Sequence, residues 1–206
     1  MRKILVVAGM TLFLFSCRAD TGDQADMENV AKSKAEVLEK KAAVQEHGPP
    51  SPPARSIGKT EVQAVDPTGK EPMDDAITCL ARTIYWETRG SSDAAMQAIA
   101  NVVMNRLGHE GFPNTICSVV KQGREQGSCQ FSWWCDGRPD SAQEKKPYAH
   151  AKEIARKALN RQLKDRTGGA LYFHRKGLAP SWSKEYIRTA KVGKHVFYKP
   201  AGGEAK

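Results

Sequence analysis

Six prolines lie between Gly48 and Pro72, in a stretch with almost no large apolar residue, and they limit where this chain can form a packed domain. Proline removes a backbone hydrogen-bond donor and is excluded from the interior of helices and sheets. Such a composition is typical of a linker. We therefore place one globular domain from Met73 to Lys199 and a loose tail at 200–206. About 127 residues are enough for one hydrophobic core.

The N-terminus has the pattern of a secretory signal. Three residues, Met-Arg-Lys, precede an apolar run from Ile4 to Phe15, which is too short to span a bilayer. The run ends in Leu-Phe-Ser-Cys, which resembles the bacterial lipobox, where cleavage leaves an acylated cysteine. We expect residues 1–17 to be a lipoprotein-type signal, Cys17 to carry the lipid, and the exported protein to be anchored to the cell membrane or outer membrane. An ordinary signal peptide with an incidental cysteine is the alternative.

The segment between this signal and the domain is polar. Val30, Val37 and Leu38 are too few apolar residues to bury a helix face between residues 28 and 41, so we expect at most a solvated or transient helix there. Residues 18–72 are thus predicted to be a disordered, proline-rich linker that holds the domain away from its anchor.

Four more cysteines, an even number, lie in the predicted domain of this exported chain. They predict two disulfides in an oxidising compartment, with all three pairings open. A zinc site is the alternative, but no Cys-x-x-Cys pair is present. The four residues are Cys79, Cys117, Cys129 and Cys135.

The net charge of +9 is concentrated in the domain. Between Pro72 and Pro200 there are 21 Lys and Arg against 12 Asp and Glu. An exported basic domain attracts anionic partners, and cell-wall polymer or a membrane surface fits that compartment better than nucleic acid. Plain solubility is the alternative explanation of the charge.

Apolar residues repeat at helical spacing in several segments of the domain, and capping or breaking residues bound them. Residues 121–138 lack periodicity and predict a long ordered loop held by cysteines, a kind of segment that is usually functional. We expect a mainly α domain with a small β element. The expected helices run from Asp74 or Asp75 to Gly90, from 92 to 107, from 114 to 120 and from Pro147 onward, and the expected strands at 170–173 and 194–198 pair as an irregular hairpin.

Glu87 lies at the C-terminal end of the first expected helix, just before Gly90. Unpaired carbonyls give a helix C-terminus partial negative charge, which raises the pKa of a carboxyl group, and a neighbouring apolar Trp86 adds to the effect. A general acid for glycosidic cleavage needs such a shift. Position alone also fits an exposed ion-pair partner of Arg89.

A longer pattern decides between these interpretations. The stretch CLARTIYWETRGSSDAAMQAIANVVMNR, which begins at Cys79, resembles the SleB-like cell wall hydrolase family of spore-cortex-lytic enzymes. Later blocks keep the family's order: GFPNTIC from Gly111, CQFS from Cys129, CDG from Cys135, GGALYF from Gly168, Trp182, and GKHVFY from Gly193. Thr88 and Ser91 depart from the usual Ala and Glu.

The resemblance implies a lysozyme-like single catalytic domain of α+β class. It also implies cleavage of the bond between N-acetylmuramic acid and N-acetylglucosamine in peptidoglycan glycan strands. The expected reaction is lytic transglycosylation, which forms 1,6-anhydromuramic ends with Glu87 as both acid and base. A hydrolytic muramidase would need a second carboxylate, for which Asp136 is the leading candidate; its alternative role is that of a turn residue before Gly137.

A glycan groove needs aromatic rings against sugar faces and a few polar groups for the acetamido and hydroxyl groups. Trp134 is a further candidate wall residue, while Asn105 and Arg106 suit buried hydrogen bonding as well as substrate contact. The predicted substrate-binding residues are Gln130, Ser132, Trp133, Tyr172, His174 and Trp182.

Two other functional classes remain open. A zinc amidase or peptidase would use the domain's histidines, but they show no His-x-x-x-His spacing. The other class is a non-catalytic peptidoglycan-binding lipoprotein of the same fold. The sequence predicts no cofactor and no metal, and it leaves the oligomeric state open. The histidines in question are His109, His150, His174 and His195.

Overall fold

The computed structural model describes residues 21–44, 50, 52, 55–89, 91–127 and 129–202. The predicted signal at 1–17, including Cys17, lies outside them. The helices are α1 Thr21–Val44, α2 Lys59–Ala64, α3 Ala76–Thr88, α4 Asp93–Arg106, α5 Ile116–Lys121 and α6 Lys145–Leu159, and the strands are β1 Tyr172–Arg175, β2 Ile187–Val192 and β3 His195–Lys199. In this part of the chain no helix is both long and apolar enough to cross a membrane. The prediction of a mainly helical domain with a small β element is confirmed.

Helix α3 forms the centre of the fold. The Asp75 side chain caps its start by accepting a hydrogen bond from the Thr78 backbone N–H at 2.9 Å. It ends at Thr88 and is followed by Arg89, whose φ of 35° is left-handed, a conformation that usually closes a helix. Nearly every residue between these ends is buried, and α3 packs against α1, α4, α5 and α6. The two helices expected around Gly90 are therefore confirmed.

Helix α1 corrects the predicted linker. It is a 24-residue helix, and it packs on α2, α3 and α6. Of the three apolar residues on which the expectation of a solvated helix rested, Val30 and Val37 are indeed exposed at 45% and 51%, whereas Leu38 is buried. The rest of the buried face consists of alanines, which allow a close approach of helices and which, with Leu38, are spaced four, three and four apart: Ala31, Ala35 and Ala42.

Polar contacts fix α1 to its neighbours. Glu39 accepts a hydrogen bond from the Ile116 backbone N–H at 2.5 Å, at the start of α5. Lys34 pairs with Glu61 of α2 at 2.7 Å. The packed domain therefore includes residues from α1 onward, and the predicted boundary at Met73 is wrong.

A buried ion pair joins the segment after α2 to the centre of α3. Asp66 accepts two hydrogen bonds from Arg82, at 2.8 and 3.0 Å, and one from the Tyr148 hydroxyl of α6 at 2.6 Å. Asp66 is fully buried and Arg82 is only 4% exposed. Such a pair is stable only when its hydrogen bonds are satisfied. Asp66 and the buried apolar residues that precede it, Ile57, Val62 and Val65, therefore belong to the core and not to a linker.

The four domain cysteines form two disulfides, as expected, and the structure selects one of the three pairings. Cys79 to Cys117 joins α3 to α5. Cys129 to Cys135 closes a short loop within the irregular segment between α5 and α6. That segment, predicted as a long ordered loop, contains 3₁₀ turns at Arg124–Gln126 and Ser132–Trp134.

The β element is a three-stranded antiparallel sheet in the order β1-β3-β2. The two expected strands pair directly, and β2 adds an edge strand that was not expected. Alternate residues of a strand point to opposite faces. Phe173 and Phe197 lie opposite each other on the face that packs on the core, while Tyr172 and Tyr198 form the next pair, on the other face.

Candidate functional site

Glu87 lies in the last turn of α3, one residue before the helix ends at Thr88. Its side chain is half-buried. Burial raises the pKa of Glu87 from 4.5 to about 7, and the positive charge of Arg106 acts in the opposite direction. A carboxyl group with a pKa near neutrality can hold a proton at physiological pH and release it during a reaction.

Arg106 places a buried positive charge beside this carboxyl group. It is 2% exposed, and its Nε donates to the Leu171 carbonyl oxygen at 2.7 Å. Its guanidinium lies 5.2 Å from the ring centroids of Phe112 and Phe131 and 5.8 Å from that of Tyr172. Burial lowers the pKa of Arg106 to about 10.

One donor of Arg106, Nη1, is buried and has no hydrogen-bond partner among the residues that the structure describes. A buried donor without a partner costs free energy, which an oxygen atom of a bound ligand can offset. The preceding residue, Asn105, donates to the Ala170 carbonyl oxygen at 3.1 Å. Both residues therefore tie α4 to the segment that enters β1, in line with the hydrogen-bonding role that the sequence allowed.

Arg89 is not the partner of Glu87. Its guanidinium lies over the Trp86 ring, 4.0 Å from the centroid, and the charge that acts on Glu87 is that of Arg106. The interpretation of Glu87 as an exposed ion-pair residue is therefore wrong. A half-buried carboxyl beside a buried arginine is instead typical of a functional site.

The two departures from the family pattern have a local structural role. The Thr88 hydroxyl donates to the Ile84 carbonyl oxygen at 2.6 Å, and the Ser91 hydroxyl donates to the Thr88 carbonyl oxygen at 2.5 Å. Both hydroxyl groups thus add hydrogen bonds to carbonyls in the last turn of α3. They hold the turn that follows Glu87.

A row of tryptophans starts next to Glu87. The Trp86 ring stacks on Trp133 with centroids 6.4 Å apart and planes at 13°, and Trp134 follows edge-on at 6.1 Å. The Trp86 indole N–H donates to the Asp140 carbonyl oxygen at 3.0 Å, which fixes its ring. The structure therefore brings the predicted residue Trp133 to the Glu87 segment, although its side chain is largely buried.

A second aromatic cluster forms on the sheet around Tyr172. Trp182 and Tyr186 lie 5.8 and 4.9 Å from the Tyr172 ring. His174 lies 5.7 Å from Trp182, and its Nε2 is 3.0 Å from the Tyr198 hydroxyl oxygen. Two predicted residues, Tyr172 and His174, thus each contact the third, Trp182, and Tyr172 connects the group to Arg106. The sequence analysis missed Tyr186 and Tyr198 as members, although both carry the same aromatic signal.

The other predicted residues lie on the irregular loop. Gln130 and Ser132 are exposed on either side of buried Phe131. Asp136 is exposed, and its Oδ1 accepts from the Arg138 backbone N–H at 2.9 Å. Gly137 between them has a φ of 74°. Asp136 thus has the turn contact that its alternative interpretation expected.

The histidines do not form a metal centre in the part of the chain that the structure describes. No three His, Cys, Asp or Glu side chains lie together there in a way that could hold a metal ion. His150 pairs with Asp93 at 2.9 Å, and His109 contacts the Glu110 carbonyl oxygen, whereas His195 is buried in the sheet. Nothing in this arrangement favours a zinc amidase.

Comparisons with known proteins match this chain to a cell wall hydrolase family model and to spore cortex-lytic enzymes. A family model described as Cell Wall Hydrolase matches residues 90–198, an interval that begins three residues after Glu87. The spore cortex-lytic enzyme of Bacillus cereus is 32% identical over 128 residues, which cover 60% of this chain and 44% of that protein. The enzyme of the same name from Bacillus subtilis is 30% identical over 150 residues, covering 70% and 44%. The chain thus spans less than half the length of these curated relatives.

Two solved structures also match. They are the catalytic domain of the Bacillus cereus SleB protein and that of the germination-specific lytic transglycosylase SleB from Bacillus anthracis, and each is 30% identical to this chain with a TM-score of 0.49. The matches cover 60% and 65% of this chain, and 89% and 99% of those structures.

Proposed function

This chain belongs to the cell wall hydrolase family, and from this premise we propose that it cleaves the glycan strands of peptidoglycan. The proposal rests on the raised pKa of the Glu87 carboxyl group. Burial raises the pKa of this carboxyl group to about 7, beside an arginine and a row of tryptophans. This combination suits a general acid that protonates a glycosidic oxygen.

The bond that we propose is the one between N-acetylmuramic acid and N-acetylglucosamine. Protonated Glu87 donates its proton to the leaving glycosidic oxygen as the bond to the anomeric carbon breaks. The C6 hydroxyl of the muramic acid then attacks that carbon, and the Glu87 carboxylate takes the hydroxyl proton. The product is a 1,6-anhydromuramic end, and Glu87 returns to its starting protonation state.

The lytic outcome requires one carboxyl group, whereas hydrolysis with inversion or retention uses two. The leading second acid, Asp136, is exposed and holds a turn. This supports the anhydro-forming reaction over a muramidase. Arg106 supports it too, because its Nη1 donor, which is unpaired among the described residues, can bind an oxygen of the substrate near Glu87.

Substrate binding is proposed along the two aromatic clusters. Aromatic rings bind sugar faces through apolar contact, and neighbouring polar groups fix the orientation. Exposed Gln130 and Ser132 lie on the loop that carries Trp133, so they are placed to contact acetamido or hydroxyl groups. Tyr172, His174 and Trp182 extend the binding surface onto the sheet.

The products of digestion test the proposed reaction. Purified protein incubated with peptidoglycan should release muropeptides that end in 1,6-anhydromuramic acid, each lighter by one water than the hydrolytic product. Mass spectrometry separates the two. Reducing ends would assign a hydrolytic muramidase, and the absence of any released fragment would favour the non-catalytic peptidoglycan-binding lipoprotein.

We also propose that the protein is exported and held at a membrane by a lipid on Cys17. The support is the signal pattern of residues 1–17 and the two disulfides, which form in oxidising compartments. Cells grown with a fatty-acid analogue should label the protein, and Cys17→Ala should remove the label. Equal labelling of the variant would leave an ordinary signal peptide as the explanation.

A further inference from the structure

The positive charge of the domain is concentrated in its β element. Residues 171–199 contain seven Lys and Arg and a single acidic residue, Glu185. This segment therefore contributes +6 of the +9 carried between Pro72 and Pro200. All seven cations are exposed: Arg175, Lys176, Lys184, Arg188, Lys191, Lys194 and Lys199.

The strand register places part of this charge beside the second aromatic cluster. Arg188 of β2 lies opposite Tyr198 of β3, which lies opposite Tyr172 of β1. Two rows further along the strands, Lys191 lies opposite Val196, which lies opposite His174. Arg188 and Lys191 are three residues apart, but the register irregularity between Arg188 and Ala190 puts both in rows of the face that carries Tyr198 and turns away from the core.

The cluster also connects this face to Glu87. Tyr172 is the shared residue, since its ring contacts Trp182 and Tyr186 on the sheet and lies 5.8 Å from the guanidinium of Arg106. Arg106 in turn is the charge that acts on Glu87. A ligand that occupies the Glu87 site can therefore extend over the aromatic cluster towards β2.

We propose that the outer face of the sheet, where Arg188 borders the aromatic cluster at Tyr198 and Lys191 lies in the row of His174, binds the acidic stem peptides carried by the glycan strand. This inference rests on the proposed function. The backbone of N-acetylated sugars is uncharged, so the carboxylates of such a substrate belong to the peptides attached to muramic acid. Aromatic rings next to cations match this chemistry, because the rings contact sugars while the cations attract carboxylates.

Binding measurements separate this surface from catalysis. In a Glu87→Gln background, which removes cleavage, we compare peptide-bearing sacculi with oligomers of N-acetylglucosamine, a stem-free glycan that carries no carboxylate. Arg188→Gln/Lys191→Gln should weaken binding to the sacculi by about 5-fold, the size expected for two exposed charge pairs, and should leave binding to stem-free glycan unchanged. The loss should shrink at high salt, since salt screens exposed charges.

The matched control is Lys41→Gln/Lys59→Gln, which removes the same charge from α1 and α2. Equal weakening by this control, equal weakening on stem-free glycan, or no weakening at all would overturn the proposal. A variant that loses only its solubility would also overturn the proposal, because lysines on an edge strand such as β2 also prevent aggregation. If vesicles of anionic lipid, and not sacculi, lose binding in the variant, the partner is a membrane surface.

The test is independent of the proposed cleavage. A wild-type protein that releases no muropeptide but binds sacculi through Arg188 and Lys191 would contradict the proposed function and keep the binding surface. If the wild type cleaves normally but its Glu87→Gln form binds sacculi and stem-free glycan equally well, the proposed function is kept and the binding surface is contradicted.

Discussion

Glu87→Gln should reduce the release of muropeptides by about 10²- to 10⁴-fold, the usual contribution of a positioned general acid. The amide has the shape of the carboxylic acid but cannot transfer its proton. The measurement is the initial rate of muropeptide release, quantified by mass spectrometry. Undiminished activity of the variant would remove Glu87 from the mechanism. A wild-type rate that falls as pH rises through about 7 would show that the protonated form is active.

The same variant should remain folded, and its stability predicts a pH signature. The folded-state pKa of Glu87 is raised from 4.5 to about 7, so its contribution to stability is present below pH 4.5 and is lost as pH rises through 7. The glutamine side chain of the variant does not titrate. The melting temperature of the variant should therefore exceed that of the wild type more clearly at pH 8 than at pH 5. A variant that melts far below the wild type at both pH values would make its loss of activity uninformative.

Asp136→Asn is the matched control for the chemistry, because it makes the same acid-to-amide change at the leading second acid. Its activity should stay within a few-fold of the wild type, since Asp136 is exposed and holds a turn through the Arg138 backbone N–H. An effect as large as that of Glu87→Gln would support a two-carboxylate hydrolase.

Arg82→Met should lower the free energy of unfolding by about 3–5 kcal/mol, the usual cost of removing one partner of a buried ion pair. Burial alone would raise the pKa of Asp66, but hydrogen bonds from Tyr148, the Glu71 backbone and Arg82 hold it below its usual range. Without Arg82, much of that compensation is lost. Denaturant unfolding at pH 7 measures the loss, which should be smaller at acid pH, where Asp66 takes up a proton.

Arg89→Met is the control for this prediction. It makes the same change at the end of the same helix, where the Arg89 side chain is exposed and lies over the Trp86 ring. Surface changes of this kind usually shift stability by about 0.5 kcal/mol or less. Equal effects of the two variants would mean that the Asp66–Arg82 pair does not hold the segment before Met73 to the core.

The helices around Glu87 could be predicted because large apolar residues mark their buried faces. Ile77, Leu80 and Ile84 of α3 recur at helical spacing and are fully buried. Helix α1 could not be predicted in this way, because the side chains that it buries are mainly alanines, whose small apolar surface gives almost no pattern. Strand β2 was missed for a related reason, since Arg188 and Lys191 interrupt its apolar residues.

The candidate site was predicted more completely than the boundaries of the domain. Glu87 came from the order of motifs along the chain, whereas Arg106 was recognised only as a candidate for buried hydrogen bonding or substrate contact. Its effect on Glu87 depends on the packing of α3 against α4, and on the rings of Phe112, Phe131 and Tyr172 around it. Such long-range contacts cannot be read from local spacing.

If Cys17 carries the proposed lipid, the packing of α1 limits how far the domain can reach from the membrane. Three residues separate Cys17 from Thr21, where α1 begins. A fully extended chain spans at most about 3.5 Å per residue, so this connection covers roughly 14 Å. With a lipid on Cys17, the domain would work close to the bilayer surface, and its cuts would fall in the layer of the wall nearest that membrane. A longer insert between Cys17 and Thr21 should carry the same active site to outer layers.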